Sequence, residues 1–357
     1  MKYRTATILA AEAASTAATK TIDLDLTEVI SRIHLNIRLT NGNNTLIAHP
    51  AKVITKLEIV DGSDVLFSLN GMQTQAISEL GTGFSGMDVI SYMSGDQIQP
   101  SMSIFFGRKL YDARYAFDPK KFTNPQLKIT HNLALGGSTP SAMTLAVYGD
   151  LFDEKPVSPE GFLMSKVNYT YTLSASAHKY IDLPVDYAYR MLVLQGISGG
   201  YNAPSTINHI KLSENMDKKV VLDQSTSDLL KLLLSQTHPI TEDINAYVAA
   251  SNTVMYTKIG YEGIATGHPT SAATSAMSFN PIAGGQFNAL ATGAGYHKML
   301  TRGWLPHGCY DIMPGVKDDP DDWYDPSALK SLRLDLTAGS SSPSAEANVI
   351  TQQVRRY

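Results

Sequence analysis

Lys20-Thr21-Ile22-Asp23-Leu24 returns 159 residues later as Lys179-Tyr180-Ile181-Asp182-Leu183. The echo is short, but it belongs to an ordered series, and an internal repeat fixes architecture more firmly than local propensity does. Upstream, residues 2–9 match residues 166–173, placing Leu9 against Leu173. Downstream come apolar strands at 33–39 and 191–194, which run into Asn41-Gly42 and Gly199-Gly200. Both dipeptides are turn signals that tolerate positive φ. Residues 57–69 then match 210–222 at an offset of 153, each reading as strand, polar turn, strand, with Leu69 against Leu222.

Each of these hairpins leads into a helical pattern. Met72, Ala76 and Leu80 recur at spacing four in the first half. In the second, Ser225-Thr226-Ser227-Asp228 reads as a capping box before Leu229, Leu230, Leu232 and Leu233. Near the end of each half, Leu127-Lys128-Ile129, the Gly136-Gly137-Ser138 turn and a strand at 144–148 match Leu332-Arg333-Leu334, Gly339-Ser340-Ser341 and 349–354. Pairing Leu127 with Leu332 sets the last offset at 205. The rise from 153 to 205 places an insertion of 52 residues in the second half. Residues 262–295 are dominated by Gly, Ala, Ser and Thr without sustained periodicity, which predicts a long surface excursion in a loop-rich insertion around 235–305. The charged, Pro-containing stretch 153–161 reads as a linker. The expected division is a first domain over 1–153, a linker over 154–161 and a second domain over 162–357.

Within each half the dominant period is two, as in Ile33, Leu35, Ile37 and Leu39, or Ile98, Met102, Ile104 and Phe106. That alternation gives each strand one buried face. Roughly eight such strands per half, separated by Gly, Pro, Asn and Asp turns, predict an all-β chain of two tandem eight-stranded jelly-roll β-sandwiches with short helices and long surface loops.

Composition narrows the function. With 357 residues the chain can bury two cores of ordinary size. Charged residues are 17%, against roughly 25% in an average soluble protein. The uncharged polar surface this implies is cheap to desolvate and suits burial against other subunits. A net charge of −4 gives no global reason to bind nucleic acid directly. The single cysteine, Cys309, excludes internal disulfides and a Cys-based zinc cage, and is expected to be a small buried apolar residue. No apolar run approaches the roughly 18 residues of a membrane helix, so a soluble protein is expected. The apolar stretch after Met1 is broken by Thr7 and Glu12 and reads as a strand, not a leader.

Few motifs suggest chemistry. Gly81-Thr82-Gly83-Phe84-Ser85-Gly86 has dinucleotide-loop spacing but follows a helical pattern, so a plain loop is expected. Asp318, Asp319, Asp321, Asp322 and Asp325 form the densest acidic cluster and are the candidate ion loop, although the EF-hand alternation is absent and a solvated loop is the expectation. His307 and Cys309, with His297 ten residues earlier, lack a fourth zinc ligand. There is no Gly-x-Ser-x-Gly elbow, and no His has an evident Ser or Asp partner. No catalytic residue, cofactor site or metal site is therefore assigned, and the chain is not expected to be an enzyme.

The tandem rolls with a helix after a hairpin in each, together with Val60-Asp61-Gly62-Ser63-Asp64-Val65-Leu66-Phe67-Ser68-Leu69 and Leu305-Pro306-His307-Gly308-Cys309-Tyr310-Asp311, resemble the double jelly-roll major capsid proteins of tailless icosahedral viruses, in particular tectivirus-like bacteriophages with an internal membrane. The resemblance implies a virion protein, assembled in the host cytoplasm as a homotrimer. Its six rolls make a pseudo-hexagonal capsomer that tiles an icosahedral shell. Duplication serves this geometry, because a three-fold object fills six-fold positions evenly only if each subunit presents two similar lateral faces. Implied partners are the chain itself, neighbouring trimers, vertex and minor membrane proteins, and the internal viral membrane. The insertion would rise outward as a tower, with the termini near the base. Two alternatives stand beside this reading. A receptor- or carbohydrate-binding β-sandwich, such as a spike, predicts exposed aromatics on one face. A cupin-like enzyme requires a His and carboxylate cluster inside a roll.

Overall fold

The computed structural model describes residues 2–84, 86, 88–250, 252–270, 277–313 and 315–357. The first half contains β1 (Tyr3–Ala14), β2 (Ala17–Asp23), β3 (Val29–Asn41), β4 (Ile54–Asp61), β5 (Asp64–Leu69), α1 (Gly71–Thr82), β6 (Val89–Ser91), β7 (Gln97–Ile98), β8 (Ser101–Phe105), β9 (Pro125–Asn132) and β10 (Pro140–Phe152). The second begins with β11 (Gly161–Thr172), β12 (His178–Leu183), β13 (Tyr189–Gly196), α2 (Ala203–Thr206), β14 (Ile207–Glu214), β15 (Lys219–Ser225) and α3 (Thr226–Leu234). It continues with β16 (Ile240–Val248), β17 (Thr253–Tyr256), β18 (Ile259–Pro269), β19 (Met277–Phe279), β20 (Gln286–Ala291), β21 (Gly295–Pro306), β22 (Cys309–Asp311), β23 (Leu332–Ala338) and β24 (Glu346–Arg356).

The pairing order is the same in both halves. The first strand pairs with the last and the last with the third, as β1-β10-β3 and as β11-β24-β13. The second pairs with the penultimate, that with the fourth, and the fourth with the fifth, as β2-β9-β4-β5 and β12-β23-β14-β15. In each half these two sheets face one another across a core. The first joins Leu35 and Ile37 of β3 and Val147 of β10 to Ile59 of β4 and Leu127 of β9. The second joins Leu194 of β13 and Val349 of β24 to Ile210 of β14 and Leu334 of β23. This is the jelly-roll arrangement, carried twice.

One feature was not legible in the repeat. β5 and β11 pair in parallel, with Lys166 opposite Ser68, and fuse the inner sheets into one of eight strands, β2-β9-β4-β5-β11-β24-β13-β22. The second half of that sheet is covered on both faces. Met191, Val193 and Ile350 belong to the first core, and their neighbours Leu192, Leu194 and Val349 to the second. A strand buried on both faces reads as a continuous apolar run, which is why Met191-Leu192-Val193-Leu194 does not alternate.

Registers refine the repeat. Leu127 lies opposite Ile22 and Ile59, whereas the residue opposite Ile181 and Leu212 is Leu334. The equivalent of Leu127 is thus Leu334, not Leu332, and the insertion is 54 residues. Leu332, Leu334 and Leu336 are all buried, and a two-residue slip preserves the alternation, so the pattern alone could not separate them. Leu9 lies within β1 while Leu173 follows the end of β11, so the strands correspond but those two residues do not.

The insertion is strand-rich rather than loop-rich. β16 to β21 form two small sheets, β18-β21-β16-β6 and β17-β20-β19, which enclose a third core of Ile244, Val248, Met255, Phe287 and Met299. Ile90 and Tyr92 of the first half enter that core, and β6 pairs in parallel with β16. Small residues misled the composition because they mark close approaches. A Cβ on Gly263 would lie 2.5 Å from the Ile282 Cβ, and one on Gly303 2.5 Å from the Ile259 Cγ2. Residues 271–276 of the expected excursion lie outside the described residues.

The two longer helices, α1 and α3, carry caps written in the sequence. Ser225 Oγ accepts the Asp228 N–H at 3.2 Å. Asn70 and Gln73 form a reciprocal box, Oδ1 accepting at 2.9 Å and Oε1 at 3.0 Å. α1 starts flush against the turn before β4: a Cβ on Gly71 would strike the Ala51 carbonyl oxygen and lie 2.9 Å from Met102 Cε. Gly71→Ala is expected to cost about 1–3 kcal/mol by forcing the helix off that turn, read as a lower urea midpoint at unchanged m.

Candidate functional site

The residues singled out in the sequence do not converge. Asp319 Oδ1 accepts the Asp321 N–H at 3.1 Å, Asp322 Oδ2 the Val316 N–H at 2.5 Å and Asp325 Oδ1 the Ser327 N–H at 2.9 Å. Asp318 lies 3.6 Å from Arg190. These carboxylates are spent on local turns and one ion pair. Among the described residues no three His, Cys, Asp or Glu side chains are placed to share a metal. Gly83 closes α1 in the left-handed region at φ 73°, its N–H donating to the Glu79 carbonyl. The glycine motif therefore ends a helix instead of opening one, the wrong polarity for a phosphate cradle; its Ser85 lies outside the described residues. Cys309 is fully buried in the first core, and burial pushes its thiol up.

Among the described residues a Ser–His contact exists that the sequence hid. His34 Nδ1 lies 3.0 Å from Ser103 Oγ, the two residues sitting directly opposite on β3 and β8. Burial and the neighbouring Arg32 hold the imidazole below its ordinary value. The nearby carboxylate, Asp150, is bonded to Arg32 and Thr5, both at 2.7 Å, so it orients those groups and not the imidazole. The pair is a cross-strand contact.

The chemically dense region is a buried ionic centre where the insertion meets the first roll. Lys258, between β17 and β18, is fully buried, with Nζ 2.8 Å from Glu79 of α1 and 3.5 Å from Asp88, just before β6. Its backbone N–H donates at 3.0 Å to Glu242 of β16, whose other oxygen lies 2.9 Å from His49 Nε2. His307, in the turn between β21 and β22, places Nε2 2.8 Å from Gln75 Oε1, and Gln75 Nε2 donates to Asp88 at 3.2 Å. The His49 and His307 rings meet edge to face at 4.7 Å.

Such charges cost several kcal/mol each to bury and are tolerated only when paired. Burial raises the Glu79 and Asp88 carboxyls, with Lys258 opposing it. At Glu242 burial also pushes upward but is outweighed by His49 and Lys258, and the carboxyl is lowered. At Lys258 burial pulls down and three carboxylates more than restore the charge. Burial, with His49 and Lys258 adding to it, drives His307 far below its ordinary value and keeps it neutral. No local motif announces this centre, because its members come from six separate segments.

The outer faces differ in character. On β12 and β23, exposed Tyr180 carries Arg333 at 5.5 Å from its ring and His178 stacked at 6.2 Å. On the insertion, Ile264, Tyr296 and Leu300 are exposed on the outer face of the β18-β21-β16 sheet. Trp323 is buried and Trp304 half-buried.

No protein-family model matches the chain, and no curated protein is similar enough in sequence to match it. Solved structures do match along its whole length. The major capsid protein of Sulfolobus turreted icosahedral virus aligns over 99% of this chain and 97% of its own, at 11% identity and TM-score 0.58. The major capsid protein of bacteriophage PM2 aligns over 99% and 98%, at 11% identity and TM-score 0.56. The capsid of the virus PBCV-1 gives 99% and 93%, at 10% identity and TM-score 0.59. A likeness of this kind is one of fold: the chain has the double jelly-roll fold that these capsid proteins share.

Proposed function

We propose that this chain is a viral major capsid protein, acting without enzymatic activity, whose homotrimers form pseudo-hexagonal capsomers of an icosahedral shell. The observation that carries the reading is the end-to-end match to capsid proteins, with two like-ordered rolls locked into one sheet. Two such rolls present two similar lateral faces, as a trimer in a six-fold setting requires.

The rolls are residues 1–153 and 162–357, with the linker over 154–161. In support, no strand lies between Phe152 and Gly161. The termini lie against the linker: Asp153 N–H donates to the Lys2 carbonyl at 3.1 Å and Tyr357 N–H to that of Glu160 at 3.2 Å. On this reading that region is the base, facing the internal membrane and minor membrane proteins, and the insertion is the outward tower. Against a sugar-binding module, neither tryptophan offers an open stacking platform.

The expected result from size exclusion with light scattering is a three-chain mass, and from electron microscopy of the purified protein a block of hexagonal outline. A stable monomer at every concentration would overturn the assignment.

A further inference from the structure

The insertion has its own core, yet it is joined to the first roll through the buried ionic centre. Glu79 and Asp88 also form the floor of an open pocket of about 420 Å³. Ser101, Ser103 and Phe105 line its walls, and Arg32 and Lys109 add positive charge. The pocket brings solvent up to the Glu79 side of the latch, whereas Lys258 and Glu242 are fully buried on the insertion side.

We propose that Lys258, Glu79, Asp88, Glu242 and His49 form a solvent-addressable ionic latch that seats the 240–306 insertion on the first roll and loosens it as pH rises. The latch lies within one chain and operates whatever that chain assembles into.

Every facing charge can be named. α1 supplies Glu79, the segment before β6 Asp88, β16 Glu242, the turn before β4 His49, and the β17–β18 connection Lys258. The β21–β22 turn supplies neutral His307. Tyr92 packs nearby, donating to the Tyr256 carbonyl at 2.9 Å, and burial followed by Glu242 keeps its phenol protonated. Three carboxylates therefore crowd Lys258, with Arg32 and Lys109 as outlying positive charges across the pocket, and burial together with their mutual repulsion opposes ionising all three at once.

The signs follow from linkage. Glu79 and Asp88 have raised folded values, so the stability they lend is full below the ordinary carboxyl range and is lost as pH climbs through those values. Glu242 is lowered, so its contribution is present above the ordinary range and lost as pH falls through its folded value. Lys258 is raised and withdraws only at alkaline pH. Seating is therefore tightest near the ordinary carboxyl range and weakens as pH rises above it.

Hydrogen exchange on the full chain tests this. From the ordinary carboxyl range up to mildly alkaline pH, after correction for intrinsic exchange chemistry, amides of β16, β18 and β21 should progressively lose protection, while β3 and β14 hold steady. Lys258→Met should open the same strands at neutral pH, and acid should restore them, because protonating the carboxylates removes the uncompensated charge. The triple variant Lys258→Met with Glu79→Gln and Asp88→Asn, which removes the buried ammonium together with both carboxylates paired to it, should stay seated with a flattened pH response, and it keeps the test decisive if Lys258→Met alone does not fold. Equal pH dependence in insertion and rolls, an opening of Lys258→Met that acid does not reverse, or an undiminished pH response in the triple variant would each overturn the latch.

Discussion

Leu194→Ala is expected to lower the unfolding free energy by about 3–5 kcal/mol, near the top of the range for a buried leucine. Leu194 is fully buried on β13, with Val349 of β24 on one side and Tyr310 of β22 on the other. Its face is closed by the second core and the opposite face by Val193 in the first. A cavity at a site confined on both faces of a sheet cannot collapse without moving two cores, so little of the loss is recovered. Leu232→Ala, at a side chain 56% exposed on α3, should cost under about 0.5 kcal/mol. Urea unfolding followed by tryptophan fluorescence distinguishes the two, and a Leu194 effect as small as that of Leu232 would contradict the two-faced burial of this sheet.

Arg190→Ala is the second large effect, expected at about 3 kcal/mol. The guanidinium, its side chain 2% exposed, donates to the Gly81 carbonyl at 2.6 Å, the Gln352 side chain at 2.8 Å and the Lys317 carbonyl at 3.0 Å. It binds the C-terminal end of α1, which belongs to the first roll, to β24 of the second. Burial draws its pKa down to about 10, and the neighbouring Asp318 and Asp311 limit the fall, so it is charged at neutral pH. Truncation strands several buried acceptors at once, each costly on its own. Arg190→Lys should recover only part of the loss, because one ammonium does not span acceptors arranged for a planar fork. The same denaturation series checks both, and full rescue by lysine would show that charge alone matters there.

The repeat was readable because jelly-roll strands with one buried face alternate, and alternation survives in a sequence. Ile22 and Ile181 could be matched by their neighbours, and the Ser225 cap by its spacing. What failed did so for physical reasons. Leu332 and Leu334 are interchangeable to a period-two pattern. Gly263, Gly267 and Gly303 looked like loop residues because close approach of neighbouring strands and side chains there leaves no room for a Cβ. The pairing of β5 with β11, and of β6 with β16, joins distant strands whose residues carry no mark of their partner. The ionic centre was invisible for the same reason: Glu79, Asp88 and Lys258 are unremarkable where they stand in sequence and acquire meaning only once the insertion meets the first roll.

The shared eight-stranded sheet has a bearing on shape. Two domains joined by a flexible tether sample a range of mutual angles, and a tiling unit built from them would inherit that spread. Here the angle between the rolls is held by the hydrogen bonds of β5 with β11 and by the twist accumulated across the sheet, so the 153–161 connection has no steering role. The two rolls form one rigid body whose internal angle is written in strand register.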